Sequence, residues 1–391
     1  MDRLIAAIKA VQNPSVVGLD PTTALVPSQV FDAVGDDLDA AGDTTGAGYA
    51  SESGAQQTAS RLALGYFEFN RAVIDAVADI VPAVKVQIAM YEALGPAGVD
   101  AYTMTCEYAQ QQGLYVIGDI KRGDIGSTAA AYAQHLSGLP RIADTSVVQP
   151  ADADGIVRPA DAGHIGHAVR ADRIDSAGRT DNSAGIVDAH RAAAHAAEEP
   201  NESDSYNDLW HEDAVTVNPY LGADGITPFV DAAKQTDKGI FVLVRTSNPS
   251  SKDIQELELA SGERFYEHVA DLVNGWGSDS LGAEGYSRVG AVVGATHPQE
   301  GRALRERMPN TFFLVPGFGA QGGTAQDVAG MFDADGSGAI VNSSRGIIAA
   351  WKKSGGYRSD MTADEALDLV ASAARQAALN MRDELRVSVY R

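Results

Sequence analysis

Short apolar runs rich in β-branched residues recur eight times along the 391-residue chain and constrain its fold more than any other feature. The predicted strands cover residues 15–19, 83–87, 115–118, 214–217, 240–244, 289–294, 311–315 and 339–342. Segments with helical periodicity, such as HPQEGRALRERM, separate the runs. Strands of this buried composition that alternate with helices are typical of parallel βα units, and eight such units close a barrel. The sequence therefore predicts an α/β protein with a (β/α)8 TIM barrel, and an open doubly wound sheet is the alternative.

Two acidic stretches interrupt this alternation. Residues 35–60 contain five acidic residues and neither Lys nor Arg, and residues 138–213 contain fifteen acidic residues and six arginines. Both stretches have few large apolar side chains, which favours long loops. His164 and His167 lie in the second stretch, but no nearby cysteine completes a zinc pattern, so we favour a solvated loop. We predict one barrel domain over residues 1–391, with loop insertions at about 35–60 and 138–213 and a C-terminal helix at 362–386.

Charge and cysteine content narrow the class of protein. The net charge of −23 repels nucleic acid and anionic membranes, so neither is an expected partner. No apolar run is long enough for a transmembrane helix, and the N-terminus lacks the pattern of a signal peptide. The single cysteine, Cys106, cannot form an intrachain disulfide and is expected to be a packed helix residue. We therefore expect a globular protein in the cytoplasm.

Charged residues stand at the second and third predicted strands. Asp119 and Lys121 are two positions apart, and because side chains alternate along a strand, both should point into the barrel mouth. Asp124 follows in the next turn. Lys85 interrupts an apolar strand, and a buried lysine is costly unless it is paired. The pattern predicts lysines and carboxylates that pair alternately where barrel enzymes place their chemistry, and a purely structural ion-pair network is the alternative.

Polar residues follow the other strands as well. Asp20 comes after the first strand, Asn218 after the fourth and Ser247 after the fifth. The sequence PGFGAQGG at 316–323 follows the seventh strand, and Arg345 follows the eighth. In many barrels the loops after strands 7 and 8 bind a phosphate through backbone N–H groups. These residues predict an anion site, although a merely tight turn would also explain the glycines.

Taken in order, the motifs match one family. DIKRGDIGST, AVKVQIAMYEALG, VTVNPYLG, LVRTSNPSS and PGFGAQGG…VNSSRG together resemble orotidine 5′-phosphate decarboxylase of the longer bacterial subtype. The similarity covers nearly the whole chain outside the two acidic stretches. It implies an enzyme with no cofactor and no metal, which converts orotidine 5′-monophosphate to UMP and CO2 in the last step of de novo pyrimidine synthesis.

The resemblance also implies a role for each matched residue. Lys121 would protonate C6 of the base, and Asp119 would lie beside the departing carboxylate. Lys85 would pair with the aspartates and reach the ribose. Asp124 and Thr128 would enter the site of the neighbouring subunit, so the resemblance implies a homodimer. The implied substrate-binding residues are Asp20, Thr128, Asn218, Ser247, Pro316, Gln321, Gly322 and Arg345.

Four of these residues would hold specific parts of the nucleotide. Asp20 would bind ribose hydroxyls, and Ser247 would hydrogen-bond the pyrimidine amide. Gln321 would bridge base and phosphate, while Arg345 would grip the phosphate. The loop at 317–323 would close over the ligand, with its glycines permitting the motion.

The chemistry explains why these residue types are needed. Loss of CO2 from C6 leaves an electron pair in the plane of the ring, where the π system cannot delocalise it. A fixed charge must stabilise that pair, and Lys121 can supply both a cation and a proton. Two other functions remain open at this point. One is a metal-dependent sugar-phosphate decarboxylase or aldolase of the same barrel superfamily, and the other is a non-catalytic nucleotide-binding barrel.

Overall fold

The barrel consists of eight parallel strands in sequence order. The computed structural model describes residues 1–44, 54–139 and 208–390. The strands are β1 (Ser15–Leu19), β2 (Ala83–Gln87), β3 (Tyr115–Arg122), β4 (Ala214–Val217), β5 (Gly239–Arg245), β6 (Val289–Val293), β7 (Phe313–Val315) and β8 (Ala339–Ser343). Each strand pairs with the next, and β8 pairs with β1, so the sheet is closed. The predicted (β/α)8 barrel is confirmed, and the open doubly wound sheet is excluded.

Helices connect the strands and surround the barrel. Among the described residues, the helices of ten or more residues are Asp2–Val11, Ser28–Thr44, Gly54–Val77, Pro96–Gln111, Ala223–Gln235, Phe265–Gly277, Pro298–Arg307 and Ala363–Val389. Shorter helices include Gly126–Tyr132 after β3, Ala325–Val328 after β7 and Arg345–Ile348 after β8. The part of the chain that the structure describes has no helix both long and apolar enough to cross a membrane.

The alternation of side chains along each strand divides the core into two parts. One face of each strand packs against the surrounding helices. The other face fills the barrel interior with apolar side chains, among them Ala83, Ile117, Ala214 and Ile340. Residues of the N-terminal helix close the amino end of this interior cluster. Two positions further along the same strand faces, the interior becomes polar, and this change marks the candidate site.

The C-terminal helix begins close to where it was predicted. Thr362 caps it by accepting a hydrogen bond from the backbone N–H of Glu365, and the Glu365 side chain accepts from the Thr362 backbone N–H. This reciprocal pair is a capping box, which satisfies two otherwise unpaired N–H groups. The helix ends at Val389, beyond the predicted residue 386.

The expectation of a loop over residues 35–60 requires correction at both ends. The helix Ser28–Thr44 continues into this stretch, and the helix Gly54–Val77 begins within it. Val30 and Val34 are both buried, and their spacing of four places them on one helix face. This apolar stripe lies on the amino-terminal side of the acidic segment, so composition inside the segment did not reveal it.

The second acidic stretch also needs correction, at its C-terminal end. Residues 140–207, including His164 and His167, lie outside the described residues. Glu212 and Asp213, by contrast, are buried directly before β4. Glu212 accepts a hydrogen bond from the Tyr102 hydroxyl and pairs with His135 Nδ1 at 2.8 Å. Because buried carboxylates are retained only with partners, these two residues belong to the barrel and not to a solvated loop.

Candidate active site

The carboxylate of Asp119 is at the centre of the polar interior. It lies on β3 with only 5% of the residue exposed and accepts hydrogen bonds on both oxygens. Oδ2 accepts from Lys85 Nζ at 2.6 Å and from Gln87 Nε2 at 2.9 Å. Oδ1 accepts from Lys121 Nζ and from Thr216 Oγ1, the latter at 2.9 Å. Four donors therefore fix the plane and position of this carboxylate.

Electrostatics keep this network fully charged. Burial raises the pKa of Asp119, but the ammonium groups of Lys85 and Lys121 outweigh burial and hold its pKa well below the usual range. Burial likewise lowers the pKa of Lys85, and the carboxylates of Asp119 and Asp20 more than offset it, so its pKa is raised. At neutral pH the site thus presents a fixed anion between two cations.

The backbone at Lys121 departs from regular strand geometry. Its φ of 46° lies in the left-handed region, which is uncommon for residues other than glycine. The register between β3 and β4 shifts between Gly118 and Arg122, so this part of β3 is bulged. The Lys121 N–H donates to Thr216 Oγ1 at 3.0 Å. Strained backbone of this kind is typical of functional sites, and here it turns a side chain that is 45% exposed toward Asp119.

Asp20 joins the network from the end of β1. Its Oδ1 lies 3.8 Å from Lys85 Nζ, close enough for an ion pair but too far for a hydrogen bond. The same oxygen is buried and has no hydrogen-bond partner among the described residues. Lys85 is therefore shared between Asp119 and Asp20, whereas the sequence predicted only its pairing with the aspartates of the DIKRGD motif.

Asp124 and Thr128 lie outside this cluster. Within the described parts of the chain, Asp124 forms no ion pair, and its Oδ1 accepts from the backbone N–H of Ile125 at 2.8 Å. Thr128 is exposed on the short helix after β3. The sequence predicted alternate pairing of Lys85, Lys121, Asp119 and Asp124, but within the described residues of one chain Asp20 takes the place of Asp124 in this network.

Ser247 and Gln321 meet at the opposite wall of the mouth. A Cβ on Gly294 would lie 2.8 Å from the Ser247 backbone nitrogen, so only glycine permits this close approach. A Cβ on Gly317 would lie 3.1 Å from Ser247 Cβ and 3.2 Å from Gln321 Oε1. The two predicted base-binding residues therefore lie side by side, with the glycine-rich segment between them.

The loop after β7 is closed by its own backbone. Gly319 N donates to Gly323 O at 2.8 Å, and Gly322 N donates to Gly319 O at 2.9 Å. Gly317, Gly319 and Gly322 all have positive φ, which other residues rarely adopt. Pro316 precedes this turn and accepts a hydrogen bond from Ala295 N at 2.8 Å, which joins the loop to the end of β6.

Arg345 and Asn218 are the last two of the predicted substrate-binding residues, and they lie after β8 and β4, respectively. Arg345 is exposed at the start of the short helix after β8 and forms no ion pair with any residue in the described ranges. Its guanidinium is thus available to an anion. Asn218 follows β4, and its Oδ1 accepts from Tyr220 N at 3.0 Å, which stabilises the local turn. This contact gives Asn218 a structural role in addition to the predicted one.

Sequence reasoning missed three polar residues that shape the site. Gln87 and Thr216 both donate to Asp119; on the interior face Gln87 lies two positions after Lys85, and Thr216 lies two positions after the core residue Ala214. Strand alternation could have identified both. Arg245, the last residue of β5, is fully buried; it contacts Ser251 and Glu256 and so holds the loop that carries Ser247. The available signal was a single basic residue in an apolar run, and the same signal identified Lys85.

Comparisons with known proteins identify the family of the chain and support its fold. A family model for the orotidine 5′-phosphate decarboxylase / HUMPS family matches residues 16–164 and 186–358. Orotidine 5′-phosphate decarboxylase of Rhodopirellula baltica is 36% identical over 384 residues, covering 98% of each chain. The Clostridium acetobutylicum enzyme of that name is 36% identical over 320 residues, covering 82% of this chain and 84% of the relative. The solved structure of Leishmania donovani OMP decarboxylase, at 22% identity with a TM-score of 0.58 and complete coverage of both chains, supports the fold alone.

The closed barrel, the carboxylate held between two lysines and the glycine-rich turn after β7 define a (β/α)8-barrel enzyme with its charged site at the carboxyl ends of the strands. The chain belongs to the orotidine 5′-phosphate decarboxylase / HUMPS family, because the model match and the relatives cover most of its length. It is a carboxy-lyase of pyrimidine biosynthesis that acts on a small molecule. The family predicted from the motifs is confirmed.

Proposed function

We propose that the chain decarboxylates orotidine 5′-monophosphate directly at the network of Lys85, Asp119 and Lys121. The products are UMP and CO2, in the last step of de novo pyrimidine synthesis. The observation that supports this most is the buried Asp119 carboxylate, which four donors hold in place between two lysines. The Asp119 carboxylate cannot reorient when a substrate carboxylate approaches. Its negative charge would therefore repel the substrate carboxylate directly.

The proposed reaction needs one bond cleavage and one proton transfer. The bond between C6 and the carboxylate breaks, CO2 leaves, and the electron pair stays on C6. Lys121 Nζ then gives a proton to C6, and water reprotonates the resulting amine. Because Asp119 already fixes the ammonium of Lys121, little reorganisation is required when charge develops on C6. No step of this sequence uses a metal or an organic cofactor.

The remaining residues would align the nucleotide. Ser247 and Gln321, which lie together across Gly317, would read the base, and Arg345 would bind the phosphate. The Asp20 side chain, which is 28% exposed, would accept a hydrogen bond from a ribose hydroxyl. Pro316, Gly322 and Asn218 would form the surrounding wall. Binding energy from the phosphate, which is remote from C6, would serve alignment and closure of the 317–323 turn.

We further propose that two subunits share each site. Asp124 and Thr128 would reach the neighbouring site, since neither contacts the ion-pair network of its own chain within the described residues. Beside them, Ile125 is 52% exposed and Tyr220 is 76% exposed. Exposed apolar side chains next to polar ones are typical of an interface. A homodimer would cover Ile125 and Tyr220 and would bring the Asp124 carboxylate of one subunit to Lys121 of the other.

A cytoplasmic location and one-domain organisation are part of the same proposal. Cys106 is the only cysteine, it is buried, and burial raises the pKa of its thiol well above the usual value. An unreactive thiol with no disulfide partner fits a reducing compartment. The enzyme would act there as a single barrel carrying the two acidic stretches.

Reaction in D2O tests the proposed chemistry at the reacting carbon. Orotidine 5′-monophosphate has no hydrogen at C6, so the atom acquired there must come from an exchangeable group. We expect UMP with deuterium at C6, seen by proton NMR as a product that lacks the H6 signal. Product formed in H2O, which should show H6, is the control. Substrate left intact by folded protein that binds UMP would contradict the proposal.

A further inference from the structure

Thr216 bridges the two residues to which the proposed chemistry assigns the largest effects. It lies on β4 with 1% of its surface exposed, and its side chain faces the barrel interior. The hydroxyl oxygen accepts from the Lys121 backbone N–H at 3.0 Å and donates its own proton to Asp119 Oδ1 at 2.9 Å. One hydroxyl therefore connects the backbone of the proposed proton donor to the side chain of its partner.

The first of these bonds compensates for the bulge in β3. The register of β3 and β4 shifts between Gly118 and Arg122, and within this shift the Lys121 N–H donates to the Thr216 hydroxyl. A backbone donor withdrawn from water needs a partner, and the Thr216 hydroxyl provides one for the partly buried Lys121 N–H. It thereby stabilises the left-handed conformation of Lys121, whose φ is 46°.

The second bond restricts the carboxylate. Thr216 and Lys121 both donate to Oδ1 of Asp119, so a rotation of the carboxylate would break both contacts. A threonine hydroxyl has one proton to donate, and here that proton goes to Asp119 while an oxygen lone pair receives the Lys121 N–H. This arrangement fixes the direction of both hydrogen bonds: the Lys121 amide donates to the Thr216 hydroxyl, and the hydroxyl donates to the Asp119 carboxylate.

We propose that Thr216 is a positioning residue, which holds the Lys121 ammonium and the Asp119 carboxylate in their reactive arrangement without contacting the substrate. The assignment rests on the proposed roles of Lys121 and Asp119. Removal of the hydroxyl would leave the partly buried Lys121 N–H and one lone pair of the buried Asp119 carboxylate without their partner, so both groups would move away from the position that the chemistry requires.

Three variants test this role: Thr216→Val, Thr216→Ser and Thr311→Val. Valine keeps the shape of threonine but removes the hydroxyl, and serine keeps the hydroxyl. Thr311 is the matched control, because it is 2% exposed and its hydroxyl donates to Asn274 Oδ1 at 3.0 Å, away from the ion-pair network. For each variant the single-turnover rate constant for orotidine 5′-monophosphate, the Kd for UMP and the Tm are measured.

Thr216→Val should lower the single-turnover rate constant about 30-fold, which corresponds to about 2 kcal/mol at about 1.4 kcal/mol per tenfold change. Its Kd for UMP should stay within about threefold of the wild-type value, because UMP has no carboxylate to meet Asp119. Thr216→Ser should retain a rate constant within about fivefold of wild type, and Thr311→Val should lose Tm without a comparable loss of rate.

The inference is overturned if Thr216→Val turns over within about twofold of wild type, or if serine is as poor as valine. Should the valine variant not fold, Thr216→Ala takes its place, and equal rate constants for alanine and serine would overturn the inference in the same way. Wild-type protein that fails to decarboxylate would instead contradict the proposed function, so the two failures are distinguishable.

Discussion

Lys121→Ala should abolish decarboxylation while UMP still binds. The variant loses both the cation that stabilises the electron pair on C6 and the proton that C6 receives. Each effect is commonly worth two or more orders of magnitude, so the loss in kcat should be at least about 10⁴-fold. The Kd for UMP should change far less, because the proposed phosphate and base contacts involve Arg345, Ser247 and Gln321. Orotate absorbance measures turnover, and titration with UMP measures binding.

Lys234→Ala is the matched control for this experiment. Lys234 is also a lysine in an ion pair, with Asp279 at 2.9 Å, but it lies on the surface of the helix Ala223–Gln235. An exposed pair of this kind is screened by solvent and lies outside the proposed site, so turnover should be unchanged. Lys121→Ala protein that retains ordinary kcat would contradict the role of Lys121 as proton donor.

Mixing two inactive variants should restore activity if Asp124 acts in the neighbouring site. A heterodimer of Lys121→Ala and Asp124→Ala subunits has one site with both residues intact and one site with neither. Random exchange makes half of the dimers heterodimers, so we expect about one quarter of wild-type activity in the mixture. Each variant alone should be nearly inactive. Activity after subunit exchange, verified by a mass-tagged subunit, is the measurement.

The control for the mixture uses two residues from one chain. Lys121 and Asp119 contact each other within a subunit, so every site of a Lys121→Ala and Asp119→Ala heterodimer lacks one of them. That mixture should stay inactive. If the mixture containing Asp124→Ala also stays inactive after verified exchange, the shared site is contradicted, and Asp124 would have to act through a contact in its own chain.

Much of the site could be predicted from the sequence because two simple rules apply to it. Side chains alternate along a strand, which put Asp119 and Lys121 on one face, and a lysine in an apolar strand needs a partner, which linked Lys85 to them. The structure confirms that both lysines form ion pairs with Asp119. The same rules placed polar residues at the ends of the strands, where the barrel gathers them.

What could not be predicted depends on departures from regular geometry. Strand alternation gives no sign that Lys121 adopts a left-handed conformation or that β3 bulges there. The Thr216 hydroxyl accepts the Lys121 N–H within that bulge, and a threonine in a strand gives no sign of such a contact on its own. Glu212 was assigned to an acidic loop because local composition cannot show that Tyr102 and His135, distant in sequence, enclose it.

The most direct test of the central claim is the near-UV absorbance of orotidine 5′-monophosphate mixed with the purified full-length chain in the presence of EDTA. We predict that the orotate band disappears, and at the same rate with and without the chelator, because Lys85, Asp119 and Lys121 supply all the charges that the reaction requires. An unchanged band, with folded protein that binds UMP, would contradict direct decarboxylation at this site. Turnover that EDTA abolishes would point instead to the metal-dependent chemistry of the sister barrel enzymes.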